Sequence, residues 1–497
     1  MQLNYKNAAL QELLPDPLLK RGDPPFPILH FGVGGFHRAH QAWALQHLQN
    51  QAQEFRHWGI TGIGILPQDI PFTKAFRQQD CLYFVQQFSP DGQSSTRLVS
   101  AIKELLHVSE DYETILARIA APQTRIISFT ITEGGYNVDD TNHTFMWDTP
   151  AVQADLLREG TPKTVFRVLA EGLKKRMAEN SGAVVLMSCD NVQHNGDILR
   201  LALLEFLKRF DPSIIDWVEQ QVSFVKTMVD RITPATTQKQ KDDFAKIKNI
   251  TDDCLVVCED YFQWVIENDR RLSGLPLQGM GATLVEQVAP YEKMKLRLLN
   301  GGHSLTGLMG YALGYDRIHT AIKNDGINAV FRRYCSEEVI PTLGPVAAVS
   351  YPDYVQQLLS RFSNPMINDS TTRIISGSTD KIPKFVLPII SDQLKKNTPQ
   401  IRFGVLILAA WYYYLDLEFK KNQMGEVQDL NRDLLLVLFK EPSWGPDQFI
   451  DRLPMLHSVQ QEPAAKNLFM KYMDALGKRD MRFLMNQLLQ EGTTDEK

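Results

Sequence analysis

The sequence is poor in the features that most quickly assign a class. Only five cysteines occur in 497 residues: Cys81, Cys189, Cys254, Cys258 and Cys335. The number is odd and the spacing scattered, which argues against a disulfide framework. Cys254 and Cys258 stand in "CLVVC" without the second pair that a structural zinc site needs. Buried free thiols are expected. Nor is there a surplus of positive charge: 53 Lys+Arg against 58 Asp+Glu leave a net charge of −5. That balance gives no support for nucleic-acid binding and favours a small-molecule partner. The longest apolar run, 403–415, is too short to span a bilayer and reads as a buried helix. The N-terminal "MQLNYKNAAL" lacks the basic-then-apolar order of a signal peptide. No internal repeat or low-complexity tract is visible. The expectation is a cytoplasmic protein without membrane segments, of two or three domains.

What the sequence does have is an ordered change of texture. Residues up to about 25 are polar and carry "PDP" and "DPPFP", a leader expected to lie over the surface. Then "FPILHF", "HWGITGIGIL", "RIISFTIT" (125–132) and "AVVLMSCDN" (183–191) read as strands buried on both faces. Helical patterns fall between them, as in "PKTVFRVLAEGLKKRMAEN" (162–180). Strand, helix, strand in this order points to a parallel α/β sheet over residues 1–287. From 288 to 497 helical patterns dominate, among them "PDYVQQLLSRFSN", "IRFGVLILAAWYYYLDLEF", "LNRDLLLVLFK" and "AAKNLFMKYMDAL". The end, "EGTTDEK", is expected to fray.

The first strand runs into "HFGVGGFHRAH" (30–40). Gly32 permits a tight turn, and Gly34 lets a phosphate approach the backbone next to a helix start. His37 stands where Gly-x-Gly-x-x-Gly wants its last glycine. The loop is therefore open to two readings, a dinucleotide site or a plain turn. Asp69, just past the second strand, can accept hydrogen bonds from ribose hydroxyls and would repel a 2′-phosphate, which favours NAD over NADP. A surface turn aspartate is the other reading. Arg38 could reach the phosphates or form a surface salt bridge.

The segment "YEKMKLRLLNGGHS" (291–304) is the most informative. On a helix at about 100° per residue, Glu292, Lys295, Asn300 and His303 share a sector roughly 140° wide. Lys293 and Arg297 point elsewhere, and Leu296 and Leu299 supply packing. Gly301 and Gly302 each cost a helix about 1 kcal/mol relative to alanine. They imply either a close approach to the backbone or a break. A solvated polar face ending at a glycine stop would also give this pattern.

The spacing Lys295, Asn300, His303 resembles the signature of the polyol-specific long-chain dehydrogenases, the mannitol dehydrogenase family, which is zinc-independent. "FGVGGFHRAHQ", "TITEGGY" (130–136), "MSCDN" (187–191), "HNG" (194–196), "MVDRITP" (228–234), "VVCE" (256–259), "QWV" (263–265), "RFSNP" (361–365) and "KIPKF" (381–385) resemble further family blocks in the same order. Relatives usually carry serine at Gly302. Around 376–381 "SGSTDK" stands where Ser-Asp-Gly-Ser-Ser-Lys is expected.

The resemblance implies an N-terminal Rossmann-type doubly wound sheet domain and a mostly α-helical C-terminal domain. It implies an NAD-dependent oxidoreductase of the mannitol 2-dehydrogenase type, acting on a polyol or ketose as a monomer. Gly32, Gly34, Gly35 and Phe36 are assigned to the cofactor with Asp69, and Glu133 borders the nicotinamide or the substrate. Lys295 is implied as general base in oxidation and acid in reduction. Asn191 and Asn300 donate to the developing alkoxide; an asparagine capping the next helix is a second role open to Asn191. Asp230, His303, Arg373 and Lys381 are assigned to substrate hydroxyls. His303, about 12 Å along the helix from Lys295, suits an extended polyol. Glu292 either gates the proton or is a surface helix glutamate. A uronate or aldonate reductase of the same family, such as fructuronate reductase, and a non-catalytic NAD-binding sensor are the alternatives. The reductases tend to carry lysine at the position of Gly134.

Overall fold

The computed structural model describes residues 2–7, 26–139 and 142–491. The tail after Glu491 and most of the leader lie outside them. Of the leader, residues 2–7 differ from expectation: Leu3 is buried in a small cluster with Leu82, Phe84 and Leu255, and the Tyr5 N–H donates to Asp80.

Six strands build the main sheet. In chain order they are β1 Ile28–Phe31, β2 Ile60–Gly64, β3 Ile102–His107, β4 Ile126–Phe129, β5 Val184–Ser188 and β6 Val222–Val225. Their spatial order is β3-β2-β1-β4-β5-β6, and every neighbouring pair is parallel. This is the doubly wound order, with its switch point between β1 and β4. Alternation sorts the side chains onto two faces. Ile28, Ile60, Ile126 and Val185 enter one core, while Leu29, Phe31, Ile127, Phe129 and Leu186 enter the other. Burial on both faces explains the continuous apolar runs in these strands.

By contacts the chain divides into two compact units. The first holds the sheet and extends to Ala289 without 90–92; the second holds 90–92 and everything from Pro290. Two small three-stranded sheets, Tyr83–Phe88 with Ser94–Val99 and Val256–Glu259, and Thr227–Asp230 with Gln263–Glu267 and Thr283–Val285, complete the first unit. The second is helical. Its apolar run lies in the helix Arg402–Lys420, buried over most of its length. Among the described residues no helix is long and apolar enough to cross a membrane. All five cysteines are buried and free.

Candidate active site

β1 delivers the chain to Gly32 at the switch point. Gly32 has φ +89°, and a Cβ there would lie 2.1 Å from the Thr130 carbonyl oxygen, so no larger residue fits. The Gly34 N–H turns back to the Gly32 carbonyl at 2.8 Å. A Cβ on Gly34 would meet nothing within 4 Å, which leaves its backbone open to a ligand. The helix that follows, Gly35–Ala39, has only five residues before the chain kinks at His40 and resumes as Gln41–Gln51. So short a helix offers little dipole to a phosphate. Phe36 is half-buried with its ring 4.9 Å from that of His40.

His37, in the third glycine position, is fully buried and stacks on His30 of β1, with ring centroids 3.4 Å apart and planes at 12°. The third glycine of such loops serves close helix–strand packing; here an imidazole pair fills that space. His30 is fixed by Ser128 Oγ at 2.8 Å and Thr130 Oγ1 at 2.9 Å. Burial drives the His30 ring down to about 3 and the His37 ring well below its ordinary value, so both are neutral. Arg38 matches neither sequence-based expectation. It is buried, donates to the Gly34 and Cys254 carbonyls, and lies 4.7 Å from the Phe72 ring centroid.

Asp69 closes a 3-10 turn, Pro67–Asp69. Its Oδ2 accepts the N–H groups of Ile65 and Leu66 at 3.2 and 3.0 Å. The carboxylate thus shapes the loop. That loop walls a cavity of about 450 Å³ at the carboxyl ends of β2 and β3, lined by Ile65, Leu66, Pro67, Ile70, Pro150 and Ala154 among others. Apolar walls of this kind suit a flat heteroaromatic base.

At the carboxyl ends of β4 and β5, Glu133 is exposed in the short helix Thr132–Gly135, and Asn191 is exposed in the turn after β5. Asn191 does not cap the next helix: His194, at φ +54°, holds the position before Asn195–Phe210. Asp230 ends the strand Thr227–Asp230 and is buried. One residue of this region escaped sequence reasoning. Asp190 is buried and accepts from the backbone of Ile131 and Thr132 and from the Tyr136 hydroxyl. Burial pushes its carboxyl up to about 6. Its sequence signals were its place in "MSCDN" and an acidic residue at the end of an apolar strand, and neither was used.

In the second unit, the segment read as one α-helix is three joined pieces. Ala289–Met294 is α-helical, Lys295–Asn300 is π-helical, and Gly301–Ala312 is α-helical again. The π segment, which closes i→i+5 bonds, starts at Lys295 and ends at Asn300. Such segments occur often at functional sites. The helix does not break at the glycines. A Cβ on Gly301 would lie 2.7 Å from the Tyr334 hydroxyl, and one on Gly302 would lie 2.5 Å from Phe331 Cε2, so close approach is the reason for both. Lys295 is 6% exposed and Glu292 9%, so neither is a solvated surface residue. Asn300 Oδ1 is buried without a hydrogen-bond partner among the described residues. The His303 ring stacks on Phe362 at 3.9 Å. Arg297 points elsewhere, as expected, to Thr342 and Asp392 at 2.6 and 2.8 Å.

Arg373 forms a bidentate pair with Asp369, which offsets its charge. Lys381 is half-buried and donates to the Ile374 carbonyl at 2.9 Å; burial, then Arg373, lowers its pKa. The altered stretch 376–381 is not a loop, because the helix Ser378–Phe385 starts within it; Ser376 and Thr379 bind the segment 428–431, through the Gln428 carbonyl and the Asp429 carboxylate. Their hydroxyls tie the start of this helix to that segment.

The sheet order, the Gly32 turn at its switch point and the cavity beyond β2 define a Rossmann-type dinucleotide-binding unit, and the residues present fit such a ligand. The chain belongs to the mannitol dehydrogenase family. The sequence model of the mannitol dehydrogenase Rossmann domain matches residues 27–278, and that of the mannitol dehydrogenase C-terminal domain matches 287–467. The chain is 37% identical over 432 residues to a mannitol 2-dehydrogenase of Phaeosphaeria nodorum, covering 86% of this chain and 76% of that one. It is 36% identical over 383 residues to a polyol:NADP oxidoreductase of Gluconobacter oxydans, covering 76% and 78%. The solved Pseudomonas fluorescens mannitol 2-dehydrogenase, a ternary complex with NAD and D-mannitol, superposes with a TM-score of 0.84 at 31% identity, covering 99% of this chain and 100% of that one.

Proposed function

We propose that this protein is an NAD-dependent polyol dehydrogenase interconverting D-mannitol and D-fructose, with Lys295 as the acid–base group. The observation that carries the reading is the burial of Lys295 at the start of a π-helical segment inside a family-typical Lys–Asn–His spacing. The resemblance to an enzyme solved with NAD and D-mannitol supports the cofactor and the substrate class.

The nicotinamide of NAD, when bound, would supply the acceptor for the hydride of the carbinol carbon, and its reduced form the donor to the ketose. Everything else falls to the chain. An amine removed from water is driven toward its neutral form, the form able to take the alcohol proton. The amides of Asn191 and Asn300 donate to the oxygen as it becomes an alkoxide, without adding a charge that competes with the amine. Glu292, one helical turn before Lys295, passes the proton to and from water. Asp230, His303, Arg373 and Lys381 bind the remaining hydroxyls.

The test is an absorbance assay of NADH with a panel of ketoses and uronates. Fructose-dependent loss of NADH is expected. Activity with fructuronate and none with fructose would replace the substrate assignment, and no activity with any member would favour a sensor.

A further inference from the structure

Three donors converge on one carboxylate in the first unit. Asp190 Oδ1 accepts the Thr132 N–H at 2.9 Å. Its Oδ2 accepts the Ile131 N–H at 2.9 Å and the Tyr136 hydroxyl at 2.7 Å. Tyr136 Oη also lies 2.5 Å from Ser188 Oγ, at the end of β5. The Asp190 carbonyl in turn accepts from Asn195 Nδ2 at 3.1 Å, and the other side of that amide receives the Thr227 N–H at 3.1 Å. The network therefore ties the turn after β4, the turn after β5 and the strand that ends in Asp230.

What it holds is not a relaxed backbone. Thr132 has φ +61°, a conformation that a β-branched side chain disfavours. The two N–H groups clamped by Asp190 are those of Thr132 and of the residue before it. Glu133 comes directly after the clamp, and Asn191 directly follows Asp190. Both lie at the carboxyl ends of the strands beyond the switch point, on the side of a dinucleotide fold away from the adenine.

The geometry points to Asp190 as a positioning residue: clamping Ile131, Thr132 and Tyr136, it holds the Glu133 turn and Asn191 in the arrangement that hydride transfer uses. The role rests on the proposed dehydrogenase reading. Asp190 acts only through its neighbours. Its loss displaces groups that matter in the transition state while leaving the adenine half of the cofactor site, at β2 and β3, untouched.

Two variants test this in the full-length protein. Asp190→Asn keeps the size but sets an amide donor against N–H donors. Tyr136→Phe removes one donor and keeps the carboxylate. Asp190→Asn is expected to lower the turnover of ketose reduction about ten- to a hundredfold, in line with the cost of a small misplacement. Tyr136→Phe is expected to lower it about three- to tenfold, and both should leave AMP binding, measured by calorimetry, within about twofold of wild type. Turnover within about twofold of wild type in a folded Asp190→Asn, or in Tyr136→Phe should the first not fold, rejects the role. A parallel loss of AMP binding and turnover also rejects it, because it marks a general structural residue. A wild-type protein inactive with every ketose and polyol rejects the dehydrogenase reading itself, and the positioning role with it.

Discussion

The hydrogen of Gly302 is what allows the Phe331 ring to lie against the helix Gly301–Ala312. A serine there would put Cβ 2.5 Å from Phe331 Cε2. Gly302→Ser alone should therefore destabilise the protein by about 1–3 kcal/mol, the usual cost of overpacking a core. Urea unfolding measures it, and adding Phe331→Leu should recover part of the loss; an unchanged midpoint in the single variant would show that the ring moves freely. The sequence marked Gly301 and Gly302 as anomalous but could not choose between a break and a close approach, because Tyr334 and Phe331 are remote along the chain. His37 was similar. The missing third glycine was plain in the sequence, whereas its stacking on His30 depends on β1 and the loop being folded together. Arg38, read as a surface or phosphate group, turned out to be buried because carbonyls and aromatic faces, rather than a carboxylate, receive it.

Among the elements, the turn that closes β2 shows how one side chain serves two ends. Asp69 caps the N–H groups of Ile65 and Leu66 and is the residue proposed to receive the ribose hydroxyls. Asp69→Ala should narrow the NAD-over-NADP preference about tenfold or more, and cost about 0.5–2 kcal/mol through the lost cap. Ratios of kcat/KM for the two nicotinamides provide the check, and an unchanged ratio removes Asp69 from cofactor selection. The main strands were legible because burial on both faces leaves a continuous apolar run, as in "AVVLMSCDN". The two edge strands were not read: β3 carries polar and charged residues among its apolar ones, and β6 is only four residues long. Nor was the π segment: nothing in "KLRLLN" separates an i→i+5 helix from an i→i+4 helix, since the difference comes from what packs around it. The sharing of a sector by Glu292, Lys295, Asn300 and His303 rested on uniform α-helical spacing, which the π segment interrupts.

Over the whole molecule, the stacked pair His30–His37 sets a pH limit. Their folded-state pKa values lie below the ordinary 6.5, with His30 at about 3. The unfolded chain therefore binds more protons below pH 6.5. The pair's contribution to stability is complete above 6.5 and is lost as pH falls toward 3, by up to about 1.4 kcal/mol per pH unit for each proton. Unfolding free energies at pH 7 and pH 5 should differ more in the wild type than in His37→Gln; equal differences would mean that the pair is not neutral in the folded state. At this scale the organisation was legible from texture alone, because a run of buried strands and a run of helical patterns occupy different parts of the chain. A reading of the chemistry was possible only where a motif carried it. Asp190 lay inside the block "MSCDN", but its bonds to Ile131, Thr132 and Tyr136 emerged only from the fold. The most direct test of the account is the turnover of fructose reduction by NADH in Lys295→Ala against wild type. A loss of about 10²–10⁴-fold is expected if Lys295 moves the proton, and turnover within about tenfold of wild type would contradict the assignment.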